Sequence, residues 1–333
     1  MDLKRKTELL VRLGKFLTGG EKELEEIKAK SYAENQWFVP EFIDISLKNI
    51  SNNYLHPGQL QYLINRYKIP ENNSHPKTIG IVMAGNIPLV GFHDLLCVFI
   101  TGNMARIKLS SKDEALPKYI LNKLMEWEPD MINYVSINDR IPKCEAYIAT
   151  GSNNSARYFD YYFKKYPSII RKSRTSVAVL NGKETNEQLE LLADDVYQYF
   201  GLGCRNITKL FVPEGYDFIP LLEAFKKYNY LINHNKFKNN YDYNLAIHIL
   251  NNHYYMTNGS LLLIEDKNSF SPIGQLNYEY YSNDKEVIEK LSTDETIQYV
   301  ITHNESNFGK AQNPGICDFA DRADTMQFLI SLS

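Results

Sequence analysis

"TIGIVMAGNIPLVGFHDLLCVFITGNMARIKLS" (78–110) decides the fold class. Its first part, TIGIVMAG (78–85), is a β-branched apolar run closed by glycine. PLVGFHDLLCVFITG (88–102) follows with helical spacing and Pro88 in its first turn, and MARIKLS (104–110) is a second apolar run. Strand, helix, strand at this spacing predicts two parallel strands joined by a crossover helix. The alternation continues outward with a helix over 113–127, a strand AYIATG (146–151) and a helix over 154–166. It resumes with TSVAVLNG (175–182) as strand, 184–201 as one long helix, TKLFVP (208–213) as strand and 216–229 as helix. DYNLAIHILNNHYY (242–255), SLLLIED (260–266) and NYEYYS (277–282) extend the pattern. Residues 1–75 read instead as helices with polar loops, and PENNSHPK (70–77) is a turn-rich break.

The totals agree with an α/β protein of two domains. A chain of 333 residues exceeds one ordinary domain, and 44% hydrophobic with 23% charged residues suits a sizeable core. A formal net charge of −3 argues against nucleic acid or an anionic membrane surface as the main partner. The most apolar stretch is interrupted by His93 and Asp94, short of the ~20 apolar residues of a membrane span. The N-terminus is basic and amphipathic without a small-residue cleavage site, so the expected location is cytoplasmic. Cys97, Cys144, Cys204 and Cys317 are far apart with no C-x-x-C pair, a spacing that suits neither a metal site nor a disulfide framework. His93, His234, His248, His253 and His303 show no site-like spacing either.

Ligands of open parallel sheets bind beyond the carboxyl ends of the strands. Four stretches are expected there: AGNIPL (84–89), IKLSSKD (107–113), ATGSNNSAR (149–157) and GLGCRN (201–206). Taken singly, each has a plain reading. Asn86 suits a helix N-cap, Lys108 a solvated strand end, TGSNNSA a capped turn, and Cys204 a small buried residue.

Taken in order, the four resemble the aldehyde dehydrogenase superfamily. Within it the chain is most similar to acyl-CoA reductases of the LuxC type, a branch whose ending NPGICDFADRADTMQFL (313–329) also resembles. The resemblance runs from about residue 77 to 330. It implies an aldehyde dehydrogenase-like fold of two Rossmann-like domains with the active site in the cleft between them. The implied division is an N-terminal helical segment 1–75, a nucleotide-binding domain 76–180, a catalytic thiol domain 181–312 and a C-terminal tail 313–333. Residue by residue, Asn86 falls at the superfamily's asparagine, Lys108 at its cofactor-contacting lysine, and Cys204 at its nucleophile. Ser110, Ser111, Gly151 and Ser152 fall in its cofactor-binding segments. No metal is implied.

The implied reaction is reduction of an acyl thioester, on CoA or an acyl-carrier protein, to an aldehyde through an acyl–Cys204 enzyme. A thiolate both attacks a thioester readily and leaves again. Its pKa must be lowered, a task for which Arg205 is a candidate, and Asn86 with the Cys204 backbone N–H would serve the carbonyl oxygen. The resemblance also allows an acyl-transfer partner protein and a homo-oligomer. Three departures stand out. IIRKSRTSVAVL (169–180) replaces a stretch whose glutamate activates water. SFSPIGQL (269–276) stands where a ribose-contacting stretch with a glutamate is usual. Ala156 replaces the last glycine of the phosphate loop. Losing the hydrolytic glutamate suits a reductase. Ser110, Ser111 and Lys112 after Lys108, with Asp113 the first carboxylate, point to NADPH, NADH being the alternative. An acyl-phosphate reductase and a non-catalytic acyl- or nucleotide-binding protein are the competing readings.

Overall fold

Eleven strands form two sheets in a computed structural model that describes residues 1–303 and 307–332. The first sheet is built from β1 (Thr78–Val82), β2 (Met104–Lys108), β3 (Val135–Ile137), β4 (Ala146–Thr150) and β5 (Ser168–Arg171), all parallel, in the order β3-β2-β1-β4-β5. Its central strands are buried on both faces, which accounts for their near-continuous apolar runs. β3 and β5 are short edge strands that the sequence reading misses.

The predicted helix over 88–102 is a nine-residue helix, Phe92–Ile100. Pro88 lies outside it, because Leu89 takes a left-handed φ of 58° and the chain turns before the helix starts. Ser46 on the helix Pro40–Asn49 donates to the Pro88 carbonyl at 2.8 Å, fixing this turn from the N-terminal side.

Those N-terminal helices are not a separate body. Residues Met1–Ser173 and Pro314–Ser333 form one compact unit, and Arg174–Asn313 form the other. In the first unit one hydrophobic cluster runs from Leu13 and Phe38 through Ile81 and Val98 to Met326 and Leu329. The C-terminal stretch is tied in by polar contacts as well. The Arg171 guanidinium pairs with Asp94 and donates to Thr325 Oγ1 at 2.8 Å. The Tyr67 hydroxyl donates to Asp324 at 2.6 Å, and the His93 ring stacks between Tyr54 and Phe319.

The second sheet contains β6 (Thr175–Val179), β7 (Ile207–Pro213), β8 (Met256–Thr257), β9 (Leu262–Glu265), β10 (Gln275–Tyr281) and β11 (Ile297–Thr302), in the order β11-β6-β7-β10-β9-β8. All pairs are parallel except β8 with β9. The strand at 175–179 therefore belongs to the second unit, and the chain passes between units at 173/174 rather than after 180. The long helix expected over 184–201 stops earlier, spanning Asn186–Tyr197. Among the described residues no helix is long and apolar enough to cross a membrane, and no group of three His, Cys, Asp or Glu side chains is placed to hold a metal ion.

Candidate active site

Six of the sequence-predicted residues collect at the carboxyl edge of the first sheet. Val82 is flanked in register by Lys108 on β2 and Ala149 on β4, so three chain segments leave the sheet side by side, about 4.8 Å from strand to strand. They carry Asn86, then Lys108, Ser110 and Ser111, then Gly151 and Ser152. The β1/β4 boundary is where the strand order reverses, the crevice position of doubly wound sheets.

Local sequence explains the shape of this edge. At Gly151 a Cβ would lie 2.8 Å from Ser155 Cβ and 3.0 Å from the Phe159 ring, so only glycine fits the turn into the helix Asn153–Phe163. The Ser152 side chain caps that helix by accepting from the Ser155 N–H. The helix N-terminus thus points its dipole and first-turn amides outward from β4, an arrangement suited to a phosphate. Ala156, fully buried, packs the helix down. A second close approach lies beside it: a Cβ on Gly85 would meet Ser110 Oγ at 2.6 Å. Lys108, Ser111 and Lys112 are exposed, and Asn35 from the N-terminal helices donates to the Lys112 carbonyl at 3.1 Å.

Asp113, in sequence only the first carboxylate after Lys108, has a specific place. It is buried and accepts the Leu89 N–H at 2.7 Å, which holds the left-handed turn three residues beyond Asn86. Its carboxyl faces a cavity of about 20 Å³ lined by Met83, Leu89, Phe92 and Leu109. Desolvation there pushes its pKa up to about 7, against the opposing effect of the Leu89 hydrogen bond.

Cys204 lies in the second unit, and its setting corrects one expectation. GLGCRN is not beyond the carboxyl end of a strand; it precedes β7 and so sits at the amino edge of the second sheet. The reason is topological, since the chain here runs from helix to strand rather than from strand to helix. The turn is unusual. Tyr199, Phe200 and Gly201 have φ of 54°, 57° and 75°, three successive left-handed residues of which two carry side chains. Left-handed backbone costs an L-residue roughly 1–2 kcal/mol, so the surroundings must enforce it.

Asn206 enforces it. Its fully buried amide donates to the carbonyls of Asp195, Val196 and Gln198 at 3.1, 3.2 and 2.8 Å, which closes the end of the helix Asn186–Tyr197. The amide oxygen accepts the Gly203 N–H at 2.8 Å. Ser176, at the start of β6, donates to the Cys204 carbonyl at 3.0 Å. The thiol therefore rides on a loop held from both sides; it is half-buried and not in a disulfide. Arg205 places its guanidinium 5.8 Å from the Tyr299 ring centre. Asp195 is buried on the same helix and accepts the N–H groups of Gly309 and Ala311; burial raises its pKa to about 7.

Residues 55–223 match the family model of the acyl-CoA reductases of the LuxC type, a segment that spans Asn86, Lys108, Gly151 and Cys204. The chain belongs to the LuxC acyl-CoA reductase family. No protein of curated function matches it. Among solved structures it is similar to aldehyde dehydrogenase 21 from Physcomitrella patens, in complex with the reaction product succinate, at 11% identity and a TM-score of 0.70, over 99% of this chain and 84% of that one. The NAD-dependent aldehyde dehydrogenase from Sinorhizobium meliloti gives 11% identity and a TM-score of 0.66, over 93% and 72%. The Mycobacterium tuberculosis aldehyde dehydrogenase complexed with NAD+ gives 12% and 0.63, over 90% and 78%. At such identities the likeness is one of fold: two parallel-sheet domains of the aldehyde dehydrogenase kind. Family and fold support an oxidoreductase role on acyl or aldehyde groups.

The sequence reading gives no role to Asn206, to Ser176 or to the left-handed pair Tyr199–Phe200, and sees Asp113 only as the first carboxylate after Lys108. Asn206 had a readable signal, a polar residue immediately before an apolar strand. The partners of Ser176 and Asp113 are 28 and 24 residues away along the chain, and no local pattern announces them. Glu265 and Asp266, carboxylates in the same unit as Cys204, lie at the carboxyl end of β9. Parallel strands put that end away from the amino edge that carries Cys204.

Proposed function

We propose that this acyl-CoA reductase converts an acyl thioester to the aldehyde through a covalent acyl–Cys204 intermediate, with NADPH as reductant. The observation that carries the reading is the Cys204 loop. A half-buried thiol outside any disulfide is carried just after a left-handed turn whose cost the Asn206 and Ser176 hydrogen bonds offset, and stored strain of this kind clusters at functional sites.

In the first step the Cys204 thiolate attacks the acyl carbon. The bond from Sγ to that carbon forms, the bond to the carrier sulfur breaks, and the carrier leaves as its thiol with one proton. Asn86 and the Cys204 backbone N–H are assigned the stabilisation of the carbonyl oxygen. A reduced nicotinamide supplies hydride to the acyl carbon when bound. Cys204 then leaves as thiolate, its carbon–sulfur bond breaks, and the oxygen becomes the aldehyde carbonyl.

The carboxyl edge of the first sheet fits such a cofactor. The Gly151 turn, closed to any Cβ, leaves backbone and helix amides to take a pyrophosphate. Lys108, Ser110, Ser111 and Ser152 are the side chains assigned to hold the rest. For a ribose 2′-phosphate the decisive group is Asp113: the first carboxylate after Lys108 is buried and bonded to Leu89, leaving exposed Ser111 and Lys112 to face the ribose. Hydrolysis is the competing fate of the acyl-enzyme. The segment that in the superfamily carries the water-activating glutamate here carries Arg171, buried against Asp94.

The test is to load the full-length protein with acyl-CoA alone. About one equivalent of thiol should be released, with an acyl adduct on Cys204 by mass spectrometry and little free fatty acid. NADPH should then discharge the adduct as aldehyde. Cys204→Ser should show no adduct and lose turnover by more than about 10⁴-fold, the scale seen when a nucleophile is removed. Aldehyde formation that survives in Cys204→Ser refutes the mechanism.

A further inference from the structure

The edge of the first sheet opposite Lys108 and Gly151 holds a polar pocket of about 320 Å³, lined at the starts of β1 and β2 and before β3. Into it faces Lys6, on the helix Leu3–Leu17. Lys6 is 3% exposed, yet its ammonium has no hydrogen bond to any described residue; it lies 5.3 Å from the centre of the Tyr134 ring. The stem is buried while the ammonium opens onto the pocket, so its charge is met there by water or by a ligand. Burial lowers the Lys6 pKa, partly opposed by the charges of Asp2 and Glu71.

Two further features describe a site rather than a packing accident. Gly102, in the left-handed turn (φ +77°) that ends the helix Phe92–Ile100, forms the pocket wall, where a Cβ would lie 2.8 Å from Asn73 Cβ and 2.9 Å from Lys6 Nζ. This turn therefore places no side chain beside the ammonium. Asn72 and Asn133 line the same space and add amide donors. The acidic group in the lining is Asp130, exposed at the rim.

We infer that this pocket binds a small monocarboxylate, with the carboxylate on Lys6 and the amides of Asn72 and Asn133 oriented toward its oxygens. The lining holds two cations, Lys6 and the Met1 α-ammonium that donates to the Tyr134 hydroxyl at 2.8 Å, and one carboxylate, Asp130; the balance of one positive charge suits a monoanion better than a dianionic phosphate. The volume lies at the lower end of small-molecule sites and suits a short-chain acid. The site lies on the other edge of the sheet from the residues assigned to the cofactor.

The experiment is a titration of the full-length protein with sodium butyrate by calorimetry at constant ionic strength, with inorganic phosphate as comparison. Wild type should bind butyrate saturably and phosphate more weakly. Lys6→Met keeps the side chain's length and apolar stem, so it should fold with an unchanged or higher melting temperature while losing at least about tenfold in butyrate affinity, the weight of one charge-assisted contact. Asn133→Leu, at an exposed position, should weaken binding by a smaller factor, and Lys108→Ala should leave it unchanged. Absence of saturable binding in wild type overturns the inference. So does equal affinity in folded Lys6→Met, loss of binding in Lys108→Ala, or tighter binding of phosphate than of butyrate.

Discussion

The two sheets present their candidate residues at opposite ends of their strands and by different means. The carboxyl edge of the first sheet is assembled mostly from short-range features: a glycine turn, a serine cap, a helix start, a lysine at a strand end. The amino edge of the second depends on a buried amide that spans ten residues to the preceding helix and a hydroxyl on another strand. An edge built locally survives substitution of a neighbour. A strained loop held by a few long-range hydrogen bonds fails when one of them is removed. On the proposed function the difference is apt: a nucleotide needs a shaped, static cradle, whereas a nucleophile needs its backbone held in one orientation.

The largest expected effect tests the clamp. Asn206→Ala removes the side-chain donor to the carbonyls of Asp195, Val196 and Gln198 and the side-chain acceptor of the Gly203 N–H. At about 1–3 kcal/mol for each buried group left unsatisfied, a loss of ~3–5 kcal/mol is expected after relaxation, with acylation slowed by about 10² or more. Denaturant unfolding and the rate of Cys204 alkylation measure both. A loss under ~1 kcal/mol with normal alkylation would mean that the turn holds itself and that the two edges do not differ in kind.

A smaller effect sharpens the other half of the comparison. Ser111→Glu puts a carboxylate on the exposed loop after Lys108, where it should oppose a 2′-phosphate and accept from a 2′-hydroxyl. The ratio of kcat/KM for NADPH over NADH should fall about tenfold without a change in melting temperature. An unchanged ratio places the ribose elsewhere.

The last effect is read from pH. Asp113 titrates near pH 7 in the native state because it is desolvated, against an ordinary value of 3.8. Between those values the native state holds a proton that the unfolded state has released, so stability falls as pH rises, by ~1.4 kcal/mol per pH unit at most, and levels off above about 7. Asp113→Asn retains an acceptor for the Leu89 N–H and should flatten part of this slope in unfolding measurements between pH 5 and 8. Asp195, with the same direction and value, should supply the remainder. An unaltered slope would show that Asp113 stays charged when buried.

How much of this was legible in the sequence follows the same division. The apolar runs of β1, β2, β4, β6 and β7 are readable because parallel strands are buried on both faces. β3 and β5 are three- and four-residue edges with partly exposed side chains, and neither length nor pattern marks them. Glycine and serine at 151 and 152 announce a turn and a cap by chemistry alone. The Cys204 loop was legible as a place but not as a shape: nothing in YQYFG predicts left-handed backbone at a tyrosine and a phenylalanine, because distant partners impose it. The domain limits were misplaced by the same blindness to distance, since Thr175–Val179 continues smoothly in sequence from β5 yet pairs with β7 and β11.

The return of Pro314–Ser333 to the first unit has a consequence in time. A ribosome delivers β1 to β5 early but withholds Thr325 and Met326, the partners that complete Arg171 and the face of the helix Phe92–Ile100. All of the second unit is synthesised in between, an interval of several seconds or more at ordinary elongation rates. The nascent first unit therefore waits with an apolar face uncovered while the later-made unit is already able to close. Residues 314–332 thus decide when the earlier-made part of the first unit becomes native, and a stop codon before Pro314 should trap chains in which the second unit is folded and the first is not.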